Sequence, residues 1–190
     1  ENNEAKIEKI PKLFHQDAEG GEFKNCTFCS KNIEIDTPYM IEKFFKANID
    51  QKVKSTLFEY AICIDCSIKK MKAMSEESVA NIQRYMKENV MDELQSNSSE
   101  NIGYEEKMKE CPVTGVQVDE LEEYSVVGQF IGDKMVVNEF PFVINSTVGE
   151  SMQDLLSVET KKEFDDFTDT ITGIPPELRS LFKSKRPVLV

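Results

Sequence analysis

The chain has 190 residues, of which 39% are hydrophobic and 31% are charged, and its formal net charge is −12. This length allows one medium domain or two small ones. The negative charge disfavours nucleic acid as the main partner, because phosphate contacts supply much of that affinity. The sequence has no run of the roughly 20 apolar residues that a membrane-spanning helix needs.

The cysteine count is odd, at five, and four of the cysteines form two closely spaced pairs. Metal-bound thiolates in a reducing compartment explain this pattern better than the disulfide framework of a secreted protein. We therefore expect a cytoplasmic protein. The chain starts at Glu1 rather than at a methionine, so a processed leader stays an open alternative.

Residues 1–23 are expected to form a flexible N-terminal segment. Their apolar residues have helical spacing, but Pro11 interrupts the pattern. Gly20 and Gly21 then mark a flexible entry to the first cysteine pair. The single histidine, His15, lies in this segment and is expected to be a surface residue.

The two pairs are Cys26-x-x-Cys29 and Cys63-x-x-Cys66, and the stretch 30–62 separates them. Two thiolates this close can bind one metal ion from a single turn, and a second pair completes a tetrahedron. Zn²⁺ prefers this arrangement, with sulfur at about 2.3 Å, and catalytic zinc keeps one position open. The sequence therefore predicts one structural Zn²⁺ held by all four cysteines.

A β-hairpin is predicted between the two pairs. Residues 39–45 and 57–62 are rich in aromatic and β-branched residues, and a polar loop joins them. The second strand leads directly into Cys63. A helix is then predicted from about Cys66 to just before Ser75.

Residues 24–75 resemble the treble-clef zinc-finger class, with the four cysteines at the ligand positions of that class. The first pair precedes the hairpin, and the second follows it and opens a helix. A helix N-terminus presents free N–H groups that favour the thiolate. The resemblance implies a fold and a metal only, because treble clefs serve nucleic-acid binding, protein docking and occasionally catalysis.

A second helix is predicted after Ser75, which can cap it, with glutamates in the first turn. Apolar residues at spacings of three and four form one stripe on it: Val79, Ile82, Met86, Val90 and Leu94. We assign residues 24–96 to the zinc module with this helix. The stretch that follows is rich in serine and asparagine, and it marks a linker over residues 97–110.

Residues 111–183 are predicted to form a second α+β domain, and residues 184–190 a tail. Strands are expected at 124–131 and 135–137, around a hairpin-type turn at Gly132. The predicted fold class is therefore α+β: a small zinc-stabilised module plus a C-terminal domain of a β-hairpin and helices.

A third strand is predicted over residues 140–144. Ser157 can cap a helix that follows, and Gly173 ends that helix. Pro175 and Pro176 begin a further short helix.

The second domain repeats part of the pattern of the first. Tyr39 follows Cys26 at the same distance in sequence as Tyr124 follows Cys111. In the register that we chose, three other residues take ligand positions: Thr114, Val143 and Ser146. We therefore hypothesise that residues 111–160 are a degenerate copy without metal, held by apolar packing. The alternative is coincidence, with Cys111 a small buried hydrophobic residue.

One group of residues is positively charged, although the chain as a whole is negative. Lysines and phenylalanines cluster on and beside the hairpin loop, and we assign them to a docking patch: Lys43, Phe44, Phe45, Lys46, Lys52 and Lys54. A soluble rim around a small core explains the same lysines. The patch would suit an acidic partner, or RNA despite the overall charge.

These observations favour a non-catalytic zinc-binding interaction or adaptor protein over an enzyme, with another protein as its partner. The sequence has no phosphate-binding glycine loop and no visible catalytic constellation. Two alternatives stay open. One is a nucleic-acid-associated zinc finger that uses the lysine-rich hairpin, and the other is a thiol-disulfide redox protein that uses Cys63 and Cys66.

Overall fold

The computed structural model describes residues 6–50, 52–91 and 103–172. Several predicted segments fall wholly or partly outside these residues: 1–5 of the N-terminal segment, 92–96 of the zinc module, 97–102 of the linker, 173–183 with the short helix after Pro175, and the tail at 184–190.

The first half of the chain contains the predicted hairpin and both helices that follow it. Its elements are β1 (Lys6–Lys9), a 3-10 turn (Lys12–Phe14), β2 (Pro38–Asn48), β3 (Val53–Cys63), α1 (Ile64–Ala73) and α2 (Glu76–Met86), which continues as a π-helical turn (Lys87–Met91). Ser75 caps α2 as predicted, because its side chain accepts a hydrogen bond from the N–H of Ser78.

The second half contains a three-stranded portion and further helices. Its elements are α3 (Tyr104–Lys107), a 3-10 turn (Val118–Glu120), β4 (Glu123–Ile131), β5 (Lys134–Val137), β6 (Phe142–Asn145), α4 (Ser146–Asp154) and α5 (Val158–Thr172). Gly132 has a φ of 56° in the β4–β5 turn, which favours glycine. The third strand begins at Phe142 rather than at residue 140, since Pro141 has no N–H to donate.

All the strands of the described residues belong to one antiparallel sheet of six strands, in the order β1-β5-β4-β2-β3, with β6 also paired to β4. Strand β2 lies inside the sheet, between β3 and β4. The pairing of β2 with β4 runs from Pro38 opposite Ile131 to Lys46 opposite Glu123. Strands that the sequence assigned to two domains are therefore hydrogen-bonded neighbours.

The N-terminal segment is attached to this sheet. Strand β1 pairs with β5, and the side chain of Phe14 is completely buried. Its ring meets the ring of Phe130 edge to face, with 5.1 Å between centroids. The sequence predicted a flexible segment over residues 1–23; from Lys6 onward it instead supplies a strand and a core side chain.

The two faces of the sheet carry separate groups of buried side chains, because successive residues of a strand point to opposite faces. Tyr39, Ile41 and Phe45 of β2 belong to the larger core. The alternate residue Phe44 packs in a smaller cluster with residues of β3: Phe58, Tyr60 and Ile62. This double coverage explains why β2 is almost wholly buried between Tyr39 and Phe45.

Candidate metal centre

The first cysteine pair lies in a tight turn before β2. The N–H of Cys26 donates to the carbonyl of Lys31 at 2.8 Å, and the N–H of Ser30 donates to the carbonyl of Cys26 at 2.9 Å. Ser30 has a φ of 58°, in the left-handed region that allows a sharp reversal. The turn thus holds Cys29 close to Cys26.

The second pair lies where β3 passes directly into α1. Cys63 is the last residue of β3, and Cys66 lies in the first turn of α1. The turn of the first pair is tied to this strand. The N–H of Thr27 donates to the carbonyl of Ala61 at 2.8 Å, and the N–H of Ala61 donates to Oγ1 of Thr27 at 3.1 Å. These bonds fix the two pairs against each other.

The four predicted ligands, Cys26, Cys29, Cys63 and Cys66, meet in one cluster. Their sulfur atoms all lie within 4.8 Å of one another, and Sγ of Cys29 lies 3.7 Å from Sγ of Cys63. A tetrahedral ion with bonds of about 2.3 Å would separate its sulfur ligands by about 3.8 Å. The cluster could therefore hold one metal ion with little rearrangement.

The four thiols differ in burial and in ease of ionisation. Cys26 and Cys63 are buried, Cys66 is half-buried and Cys29 is exposed. Burial disfavours the thiolate of Cys26, but backbone N–H groups, led by that of Cys63, outweigh burial and lower the pKa of Cys26 to about 7. The N–H of Cys63 lies 3.4 Å from Sγ of Cys26. Burial, followed by hydrogen bonding with Cys29, raises the pKa of Cys66.

Two lysines lie beside the cluster. Lys31 pairs with Asp65 at 3.1 Å. Nζ of Lys70 lies 4.7 Å from the ring centroid of Phe28, which stands between the two cysteines of the first pair in the sequence. Four thiolates around one divalent cation carry a net charge of −2, which nearby ammonium groups partly offset. All five cysteines are free thiols, and no disulfide joins any of them.

The structure separates the predicted docking patch into buried and exposed residues. Lys43, Phe44 and Phe45 are buried, because they lie on an inner strand covered on both faces. The other three patch residues are exposed: Lys46, Lys52 and Lys54. Of the predicted patch, these three lysines are the part that a partner could contact.

The buried position of Lys43 was not predicted. Its ammonium group lies 2.8 Å from Oδ1 of Asp17, 2.9 Å from Oε2 of Glu59 and 2.6 Å from the carbonyl oxygen of His15. A lysine in a strand next to a polar loop is usually on the surface. Here Lys43 instead ties the N-terminal segment to β2 and β3, and this is a structural role.

A second buried polar group lies on the opposite face of β2. Oε1 of Glu42 accepts a hydrogen bond from the hydroxyl of Ser125 at 2.7 Å, and Oε2 accepts one from the hydroxyl of Tyr60. All three residues are at most 3% exposed. Burial, followed by the charge of Glu42, raises the pKa of Tyr60 well above its usual range. The group links β2, β3 and β4.

The helix that starts at the second cysteine pair exposes an apolar stripe. Ile64, Ile68 and Met71 are 41%, 44% and 52% exposed, and their spacing of four and three places them on one side of α1. Met71 also borders a groove of about 360 Å³ between α1 and α2, whose apolar lining is rich in methionine: Met71, Met74, Val79, Ile82, Met86 and Met91.

Among the described residues, no helix combines the length and the apolar character that crossing a membrane requires. The chain was also compared with family models, curated proteins and solved structures, and none of them matches it.

Proposed function

We propose that this protein is a non-catalytic interaction module whose four cysteines hold one structural Zn²⁺. The observation that carries the proposal is the cluster of four thiols, whose sulfur atoms lie within 4.8 Å of one another. A set of four sulfur donors in tetrahedral arrangement suits zinc in particular. Such a site has no position left for water or substrate, so its contribution is to stability rather than to chemistry.

The docking surface in this proposal is the apolar stripe of α1 together with the methionine-rich groove. The metal ligands lie at the start of α1, so zinc would fix the helix that carries the stripe. Methionine side chains adapt to varied partners because they are flexible and polarisable. An amphipathic helix is the kind of partner that lays apolar side chains into such a groove.

Charge indicates the kind of helix that would bind. Lys70 and Lys87 line the groove, and Lys72 is exposed one helical turn after Ile68, beside the stripe. The protein as a whole is acidic, with a net charge of −12, so this lysine-bordered surface is a local exception. We propose a partner helix with an apolar face bordered by acidic residues.

The metal is tested by elemental analysis of the purified protein, with a thiol titration under native conditions. We expect one zinc per chain and at most one reactive thiol, that of Cys111. The Cys66→Ser variant should lose the metal, and the matched Cys111→Ala variant should keep it. A protein without metal that contains a reducible Cys63–Cys66 disulfide would overturn the proposal in favour of a redox function.

The docking surface is tested with two synthetic amphipathic helices of equal hydrophobicity, one bordered by glutamate and the other by lysine. Fluorescence anisotropy should detect binding of the glutamate peptide only. The double variant Ile68→Asp/Met71→Asp should abolish that binding, while Val158→Asp, at a residue that is 85% exposed on α5, should not. Equal binding by wild type and the double variant would contradict this docking surface and leave the metal proposal standing.

A further inference from the structure

The turn that holds the first cysteine pair has a close counterpart at Cys111, in the second half of the chain. The N–H of Cys26 donates to the carbonyl of Lys31 at 2.8 Å, and the N–H of Cys111 donates to the carbonyl of Val116 at 2.9 Å. In each turn, an isolated antiparallel bridge joins the two residues that flank this hydrogen-bonded pair. The hydrogen bonds of the two turns therefore close rings of the same size.

The reversal of the chain also occurs at the same place in each turn. The N–H of Ser30 donates to the carbonyl of Cys26 at 2.9 Å, and the N–H of Gly115 donates to the carbonyl of Cys111 at 2.8 Å. Ser30 and Gly115 have φ values of 58° and 66°. Since few residues adopt positive φ, this agreement at matching positions is a specific one.

Each turn then contacts the strand that returns to it. The N–H of Cys63 lies 3.4 Å from Sγ of Cys26, and the N–H of Asn145 lies 3.4 Å from Sγ of Cys111. Each of these two donors ends its strand and directly precedes a helix. Asn145 therefore takes the place of Cys63, and Val148, in the first turn of α4, takes the place of Cys66.

This register differs from the one drawn from the sequence, which matched Val143 to Cys63 and Ser146 to Cys66. In the sheet, Cys63 pairs with Tyr39 and Asn145 pairs with Tyr124. The two registers differ by a shift of two, which keeps every side chain on the same face. The alternation of apolar residues could not separate them.

The two halves meet as if related by a two-fold axis. Glu42 of β2 pairs with Val127 of β4, and the interval between them in sequence is the same as that between Cys26 and Cys111. A two-fold axis that passes through an antiparallel pair of strands places a residue opposite its own counterpart, as is the case here.

Four hydroxyl residues form a second contact with the same symmetry. The N–H of Ser75 donates to Oγ1 of Thr160 at 3.0 Å, and the N–H of Ser157 donates to Oγ of Ser78 at 2.8 Å. The hydroxyls of Ser75 and Ser157 lie 2.9 Å apart. Ser75 precedes α2 and Ser157 precedes α5. The N–H of each serine therefore donates to a hydroxyl group of the other serine's helix.

We infer that residues 110–172 are a second copy of the metal-binding unit, in which three of the four metal ligands have been replaced. Its four ligand positions are occupied by Cys111, Thr114, Asn145 and Val148. Cys111 and Val148 lie in the larger hydrophobic core and are at most 3% exposed. The backbone of a second Cys₄ site is therefore present, and three side chains separate it from metal binding.

The test restores the site in the full chain with the triple variant Thr114→Cys/Asn145→Cys/Val148→Cys. Refolded with Zn²⁺ or Co²⁺, this variant should bind two metal ions per chain, against one for the wild type. The matched control Thr114→Cys/Val143→Cys/Ser146→Cys follows the other register and should still bind one. A folded triple variant that binds a single ion, or a control that binds two, would overturn the inference.

A single substitution covers the case in which the triple variant does not fold. In zinc-loaded Asn145→Cys, the new thiol should lie near Cys111, and diamide should oxidise the two thiols to a disulfide while it is reduced to its hydrazine. Mass spectrometry after digestion should find this cross-link, and Ser146→Cys should not give a cross-link to Cys111. Absence of the cross-link in folded Asn145→Cys would contradict the inference.

Discussion

The turns at Cys26 and Cys111 have the same backbone hydrogen bonds, but their side chains differ in kind. The first turn belongs to a cluster of four thiols in which Cys29 is exposed and Cys66 is only half-buried. The four matching positions of the second half show similar burial: Cys111 and Val148 are buried, Asn145 is half-buried and Thr114 is exposed. The two sites therefore differ in their donor atoms rather than in their depth: four thiols can share one metal ion, whereas Thr114, Asn145 and Val148 leave the second turn to packing and hydrogen bonds.

A second contrast lies one residue beyond the Glu42–Val127 pair. Lys43 of β2 and Gly128 of β4 are counterparts at the same sequence interval, and both face the N-terminal segment. Lys43 holds that segment by ion pairs. Gly128 leaves room for it, since a Cβ there would lie 2.9 Å from the ring of Phe14. The segment thus contacts the two halves by different physical means.

Removal of the proposed metal ion should give the largest difference between the two turns. We expect Cys63→Ser, or a strong chelator, to unfold the first half, because structural zinc contributes about 10 kcal/mol or more and a whole domain is stable by only about 5–15 kcal/mol. Cys111→Ala should cost about 1–2 kcal/mol, as buried substitutions usually do. Circular dichroism with urea titration measures both, and similar losses would contradict the contrast.

Lys43→Ala should be the next most damaging change. It leaves Glu59, which is only 16% exposed, without its ammonium partner, and breaking a buried ion pair from one side costs about 3–5 kcal/mol. Because Asp17 is 57% exposed, we expect the lower end of that range, about 3 kcal/mol, in a urea titration. The control Lys46→Ala removes an exposed ion pair and should change stability by about 0.5 kcal/mol or less.

Gly128→Ala tests how closely the N-terminal segment approaches the second half. The added Cβ would lie 2.7 Å from the ring of Phe130 as well as 2.9 Å from that of Phe14. Overpacking of this kind costs about 1–3 kcal/mol. Gly21→Ala is the control, because nothing lies within 4 Å of a Cβ at that position. Full recovery of stability in the double variant Gly128→Ala/Phe14→Leu would identify the Phe14 ring as the cause of the loss.

The helix starts at Ser75 and Ser157 should give the smallest effects. Loss of a cap costs about 1 kcal/mol, so Ser75→Ala and Ser157→Ala should each destabilise the protein by about that amount. Because the two hydroxyls lie 2.9 Å apart, the double variant should lose less than the sum of the two changes. Additive losses in thermal unfolding would show that the hydroxyl contact between the two halves contributes nothing.

The sequence alone predicted most local features of the first half. Two closely spaced cysteine pairs, a strand that runs into Cys63 and a serine before a helix are short-range signals, and each has a local physical cause. The four cysteines accordingly meet in one cluster. Helix α4 was not predicted, since its first turn contains Thr147, Val148 and Gly149, which favour a helix weakly.

Only the tertiary structure decided which strands are neighbours. The pairing of β2 with β4 joins residues that lie far apart in the chain, and no local pattern encodes that choice. Burial on both faces of β2 follows from the pairing, and it turns Lys43 from an expected surface residue into an internal anchor. The register of the second half likewise depends on hydrogen bonds between strands, because side-chain alternation has a period of two and cannot distinguish Val143 from Asn145.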